Sequence, residues 1–255
     1  MMVALGVALL PGRKCDIYAV AQWTLRFGDD PVKKLAIPDN LTAMAYKSIK
    51  EYILEGPLDS ESRLTEEYLS GQLGISKSPI REALNRLETE GLIRIEPRRG
   101  AYLRSYTAEE GDELYDFREA LEVHVIRRAK LTPALLNVLW ASIEKQRTHL
   151  KAGDALKYIH EDINFHAKLA ASTGNSMLCK ELERLQNIIW LFRRDKRGLL
   201  SSEALDGHQS IVTALGCGTR DEAEDAMRRH ISRVRHTLVE ESLAHEVAAE
   251  AMAST

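Results

Sequence analysis

The sequence predicts a mainly α-helical chain: an N-terminal winged helix-turn-helix with a small β-hairpin wing, then a C-terminal all-α bundle of about six helices. Three observations carry that reading. Two short helical patterns meet at a tight turn around Gly74, the arrangement of a helix-turn-helix. Beyond Gly91 the apolar period switches from helical to alternating, on both sides of a Pro97-Arg98-Arg99-Gly100 turn, which is a hairpin signal. After Tyr106 the apolar stripes return to helical spacing and are divided only by glycine and proline breaks.

Each element has a local cause. Leu41, Tyr46, Ile49 and Ile53 recur at helical spacing from Asn40 up to Gly56-Pro57, giving a first helix. Thr65 is a good N-cap for a second helix through Leu69 and Leu73, and Gly74 suits its left-handed end. Ser78-Pro79 reads as the cap and first position of a third helix that ends at Gly91. Ile80, Leu84 and Leu87 make its apolar side, so Ser78, Arg81, Glu82 and Asn85 face away from the core. Ile93 and Ile95 then alternate with Arg94 and Glu96 before the turn into Ala101-Tyr102-Leu103-Arg104. Capping boxes at Thr107-xx-Glu110 and Thr219-xx-Glu222 open two later helices. Breaks near Thr132-Pro133, Gly153, Gly174-Asn175, Gly198 and Gly216-Cys217-Gly218 separate the others.

Four segments follow. Residues 1–37 form an extension without a sustained period or assigned role, 38–105 the winged helix-turn-helix, 106–245 the helical domain, and 246–255 an alanine-rich tail expected to fray. A length of 255 residues with 44% hydrophobic content fits two ordinary domains. The net charge of −3 excludes a general polyanion binder, so any nucleic-acid surface must come from local clustering. Cys15, Cys179 and Cys217 are odd in number and widely spaced, which gives neither a disulfide framework nor a zinc knuckle. No stretch approaches the roughly 18 apolar residues of a membrane span, and no basic residue precedes the opening apolar run. The expectation is a soluble, cytoplasmic protein with no membrane partner.

Charge clusters where a DNA-reading surface would need it. From Ser76 to Arg104 there are seven basic residues against four acidic ones, whereas Pro38 to Ile75 holds three basic against seven acidic. Lys77 and Arg81 stand at the head of the third helix and can reach phosphates or guanine acceptors, while Ser78 can donate to a phosphate. Arg98 and Arg99 on the hairpin tip would follow a minor groove or backbone, with Gly100 allowing close approach. The bland alternative is a solvated helix and a charged turn without a partner; the ordered run of helix, turn, Ser-Pro helix and basic hairpin argues against it.

The stretches Arg63-Leu64-Thr65-Glu66, Leu73-Gly74-Ile75-Ser76-Lys77-Ser78-Pro79-Ile80-Arg81-Glu82-Ala83-Leu84 and Glu90-Gly91-Leu92 resemble the DNA-binding domain of the GntR superfamily. The resemblance implies a winged helix-turn-helix that binds a short palindrome as a dimer, with Ser76, Lys77, Ser78, Pro79 and Arg81 in the DNA-contacting turn and helix start. Lys77 departs from the family pattern, which more often has arginine there. Lysine lacks the two-pronged guanine contact that arginine makes.

In the helical domain, Asp162 and His166 lie four residues apart and share a helix face, with His208 and His230 on later helices. On spacing alone the signal is weak, and a helical histidine is more often a surface or satisfied core residue. The run Phe117-Arg118-Glu119-Ala120-Leu121-Glu122, then Asp162-xxx-His166, Ser172-Thr173-Gly174-Asn175, His208 and Met227-xx-His230, resembles the FCD ligand-binding domain of the FadR subfamily. In that subfamily some members hold a divalent metal on one aspartate and three histidines, and Asp162, His166, His208 and His230 fall on those positions. The resemblance therefore implies a metal of the Zn, Ni or Mn class. Arg118 lies on the apolar stripe of Leu114, Leu121 and Val125, where its inward charge needs a carboxylate, either an acidic metabolite or an internal partner such as Glu122. Asn175 is a second candidate for the effector pocket, or else part of a helix cap.

The reading that follows is a transcriptional regulator and not an enzyme: a homodimer on palindromic double-stranded operator DNA, controlled by a small carboxylate effector. The alternative is a metal-dependent, hydrolase-like enzyme that uses the Asp/His cluster to activate water.

Overall fold

A computed structural model describes residues 40–56, 58–59, 62–194 and 202–253. The N-terminal extension and the breaks at Pro57 and Gly198 lie outside the described residues. The chain begins with α1 (Asn40–Glu55), β1 (Arg63–Leu64), α2 (Glu66–Leu73) and α3 (Lys77–Thr89), followed by β2 (Ile93–Glu96) and β3 (Gly100–Leu103). Six helices come next: α4 (Ala108–Arg128), α5 (Pro133–Ala152), α6 (Ala155–Ser172), α7 (Ser176–Arg194), α8 (Ser202–Cys217) and α9 (Arg220–Ala253).

The caps read from sequence are largely those that form. Thr65 Oγ1 accepts from Tyr68 N–H at 3.1 Å, and Gly74 ends α2 at φ 65°. Thr107 and Glu110 close a complete capping box on α4, and Thr219 and Glu222 close another on α9. One start differs. Helix α3 begins at Lys77 with Ser76 as its cap residue, so Pro79 stands at the third helical position, two residues later than expected. The first four N–H groups of a helix have no intrahelical acceptor, so a proline in the third place forfeits no bond. At the other end Gly91, at φ 83°, directs its N–H to Glu88 O while Leu92 N–H bonds Leu87 O at 3.0 Å. That pair is a Schellman ending, and it aims the chain straight into the wing.

The wing is an antiparallel sheet of order β1-β3-β2, with Ile93 opposite Leu103 and Ile95 opposite Ala101. Strand β1, paired through Leu64 to Ala101, was not expected from the sequence; two residues are too few for a period to show. Ile80, Ala83, Leu84 and Leu87 of α3 pack with Ile49 and Ile53 of α1 and Ile93 and Leu103 of the wing into one core. Ile188 and Leu191 of α7 belong to that same core, and Trp190 Nε1 donates to Leu54 O at 2.8 Å. Helix α7 is therefore shared between head and bundle. The bundle's own core gathers Phe165, Leu185, Ile189, Ile211, Met227 and Ile231 from four helices. Helix α9 is 34 residues long and continues to Ala253, so most of the tail expected to fray is helical, in keeping with the high helix propensity of alanine.

Candidate DNA interface and metal centre

Helix α3 buries its apolar side completely and leaves Lys77, Ser78 and Arg81 exposed at its start, with Ser76 exposed as the cap and Pro79 half-buried. Arg81 is 63% exposed and makes a forked ion pair with Glu66 on α2, Nε to Oε1 and Nη2 to Oε2, each 2.7 Å. Lys77 is held more loosely, 3.7 Å from Glu67. On the wing, Pro97, Arg98 and Arg99 are exposed and Gly100 is half-buried. Arg98 takes φ 65°, a left-handed conformation that is costly for a residue with a Cβ. Gly100, at φ 115°, lies against Leu64 O, where a Cβ would come within 3.1 Å. The wing is tied to α3 by the Ile95 N–H, which donates to Glu88 Oε1 at 2.7 Å. None of the expected DNA-contacting cations is turned into the core.

Inside the bundle, Asp162 and His166 on α6, His208 on α8 and His230 on α9 converge with one ligand atom from each within 4.8 Å of the others, all buried. Donor atoms around a tetrahedral zinc stand roughly 3.3 Å apart. His208 Nε2 lies at that distance from both His166 Nε2 and Asp162 Oδ1, 3.3 Å in each case. The outer nitrogens are oriented from behind. Gln146 Oε1 on α5 is 2.8 Å from His208 Nδ1, and Glu122 Oε1 on α4 is 2.9 Å from His166 Nδ1, which leaves both Nε2 atoms free for an ion. Phe165 stacks on the His208 ring at 4.2 Å. Both nitrogens of His230 are buried without a hydrogen-bond partner among the described residues. His230 reaches the centre because residue 207 is glycine: a Cβ there would sit 2.4 Å from His230 Nδ1.

The electrostatics at His208, His230 and Asp162 suit a bound cation. Burial pushes the His208 imidazole down to about 3 and lowers His230 well below its usual value, so neither ring is charged near neutrality. Burial pushes the Asp162 carboxyl up, but Arg193, His208, His166 and Arg118 together outweigh it, and the group stays ionised well below the usual carboxylate range. Glu122 follows the same pattern: burial opposes ionisation, and His166 and Arg118 override it. A site with one carboxylate, three imidazoles, outer partners on two of them and an orphaned third fits a resident divalent ion.

Residues 41–103 match the model for bacterial regulatory proteins of the gntR family, and residues 113–233 match the FCD domain. The Nta operon transcriptional regulator of Aminobacter aminovorans is 31% identical over 179 residues, spanning 67% of this chain and 81% of that protein. The chain belongs to the GntR family. Among other GntR relatives, the gluconate operon transcriptional repressor of Bacillus licheniformis is 29% identical over 178 residues, 66% of this chain and 73% of that protein. Two solved structures share the fold. A putative GntR regulator from Rhodococcus sp. RHA1 superposes with a TM-score of 0.70 at 20% identity, covering 78% of this chain and 97% of that one. The E. coli protein McbR/YncC gives 0.69 at 22% identity over the same shares. These relatives are regulators, and this GntR chain is a transcriptional regulator with an FCD domain.

Two residues of the GntR chain's expected effector site part company. Arg118 is buried at 1% exposure; its Nε is 3.5 Å from Glu122 Oε1, and Nε and Nη2 have no hydrogen-bond partner among the described residues. The internal ion pair is real but leaves most of the guanidinium unsatisfied. Asn175 is corrected: it is exposed, and its Oδ1 accepts from Met177 and Leu178 N–H at 3.1 Å each, so it caps the start of α7 instead of lining the buried centre. Sequence reasoning missed Arg193, which is 4% exposed and donates from Nη1 to Asp162 Oδ2 at 3.0 Å while its Nε has no hydrogen-bond partner among the described residues. The signal was present. Arg193 continues the stripe Leu182, Leu185 and Ile189 by four residues, the same argument that turned Arg118 inward.

Proposed function

We propose that this GntR regulator binds a palindromic operator as a homodimer, with affinity controlled by a small carboxylate held at a divalent-metal site in its helical domain. Residues 38–105 would act as the DNA-reading head and 106–245 as the sensing and dimerising domain. Asp162, His166, His208 and His230 would hold the ion, which, when bound, supplies open positions for an oxygen ligand. The observation that carries the reading is the group of buried polar atoms beside that cluster with no hydrogen-bond partner among the described residues: Tyr115 Oη, Arg118 Nε and Nη2, Arg193 Nε and both His230 nitrogens. A buried donor without an acceptor costs about 1–3 kcal/mol. An ion and an anionic effector satisfy them together, with Arg118 as the carboxylate's anchor.

On the DNA side, Ser76, Lys77, Ser78, Pro79 and Arg81 would enter a groove while Arg98, Arg99 and Gly100 lie along the neighbouring backbone. Helix α7 supplies a route between the sites. It carries Arg193 to Asp162 at one point of its length and Ile188, Trp190 and Leu191 to the head at others. An effector that draws Arg193 away from Asp162 would favour one placement of α7 and shift the head with it. The hydrolase alternative has less support, because both buried carboxylates at the centre are committed: Asp162 as a ligand, and Glu122 to His166 and Arg118. The test is a calorimetric titration of zinc into chelator-stripped protein. The reading requires about one ion per chain, lost in His208→Ala and His230→Ala. A wild-type chain that binds no more zinc than those variants would sink it.

A further inference from the structure

The ion pair between Glu66 and Arg81 has a geometry that bears on how DNA is read. Glu66 is the first residue of α2, 31% exposed, and it engages Arg81 side-on through Nε and Nη2 at 2.7 Å each. The pair lowers the Glu66 carboxyl and raises the Arg81 guanidinium, the hydrogen bond being the main cause in both. A guanidinium has five N–H groups, and a side-on carboxylate takes two of them. The end edge, formed by Nη1 and the second Nη2 hydrogen, has no partner among the described residues. That edge can still match O6 and N7 of guanine with two parallel bonds.

We propose that Glu66 is a positioning residue for operator recognition: it clamps the side edge of Arg81 and thereby presents the end edge to a guanine in the major groove. The inference rests on the reading of α3 as the DNA-reading helix. A free arginine on an exposed helix samples many rotamers and must be ordered on binding, whereas the clamp orders Arg81 beforehand. The neighbouring Lys77 is held 3.7 Å from Glu67 as a point charge without a directional fork. Arg81 is thus the cation of α3 prepared for reading a base, and Lys77 suits a phosphate.

The experiment uses the full-length protein and a duplex that the wild-type chain selects from a randomised library, with a scrambled duplex as reference. Binding is followed by fluorescence anisotropy for wild type, Glu66→Gln, Arg81→Ala and the double variant. Arg81→Ala is expected to reduce the preference for the selected duplex roughly 5- to 150-fold, the range of a lost bidentate base contact. Glu66→Gln is expected to reduce it at least about threefold, and to relax discrimination at the same guanine. Its affinity for the scrambled duplex should not fall, and its melting temperature should move by less than about 4 °C, since the pair lies at the surface. In the Arg81→Ala background the Gln substitution should add nothing. The clamp is overturned if Glu66→Gln leaves the preference intact or tightens both duplexes equally, since Glu66 is then only a competitor for Arg81. It is also overturned if the Gln substitution lowers the preference as much without Arg81. If Arg81→Ala itself keeps full preference, the reading of α3 fails along with it.

Discussion

Gly207 and His230 are the pair of residues that most limit the metal centre. A methyl at position 207 would come 2.4 Å from His230 Nδ1 and 3.0 Å from its ring carbon, so Gly207→Ala must push the imidazole away. Zinc affinity should fall at least about tenfold, as for other losses of ligand orientation, while the secondary structure measured by circular dichroism stays unchanged. Unchanged affinity in a competition titration would mean that His230 is not a ligand. The buried imidazoles also set a pH dependence for the metal-free protein. His208, at about 3, and His230, well below its usual value, stay neutral in the fold, but in the unfolded chain they take up protons below about 6.5. The unfolded state then binds more protons, so stability falls as pH drops through that window. Urea midpoints in chelator should decrease from pH 7 to pH 5, and a flat profile would contradict the assignment of neutral buried rings. Asp162, His166, His208 and His230 were legible as a set only through resemblance. Glu122, Gln146 and Arg193 act across helices α4, α5 and α7, and such contacts leave no spacing in a linear chain.

At the scale of elements, the short helices, the wing and the cap residues could be read because each has a local cause. Thr65, Gly74 and Thr107 do locally what their chemistry favours. The start of α3 was misplaced because Ser76 and Ser78 are both cap types two residues apart, and Pro79 is compatible with either. The wing tip shows a local choice that works against backbone preference. Arg98 at φ 65° bears a penalty that glycine would not, so Arg98→Gly should raise stability by up to about 1 kcal/mol. The same change removes a cation from the tip and should weaken DNA binding with a shallower salt dependence. Chemical denaturation and anisotropy at two salt concentrations check the two halves. A variant that loses stability, or that binds DNA with an unaltered salt slope, would show that Arg98 neither bears strain nor meets phosphate.

Across the whole molecule, α7 joins two cores that a two-domain reading of the sequence keeps apart. Ile188 and Leu191 pack with the head, while Leu185 and Ile189 pack with the bundle. Because its apolar residues run continuously from Ile188 to Phe192, that stretch of the helix reads in sequence as buried on every side, without naming its neighbours. Sedimentation of the full chain should give a dimer, since two heads are needed to match a palindrome; a monomer at micromolar concentration that still selects a palindromic duplex would contradict it. Occupancy of the buried centre must be felt at the DNA if the helical domain controls the head. The most direct measurement is operator affinity of zinc-loaded protein across a panel of small mono-, di- and tricarboxylates, for wild type and for Arg118→Met. At least one acid should change the wild-type Kd by about fivefold or more, and the same acid should leave Arg118→Met unmoved. A Kd indifferent to every acid, or a response that survives without Arg118, would contradict it.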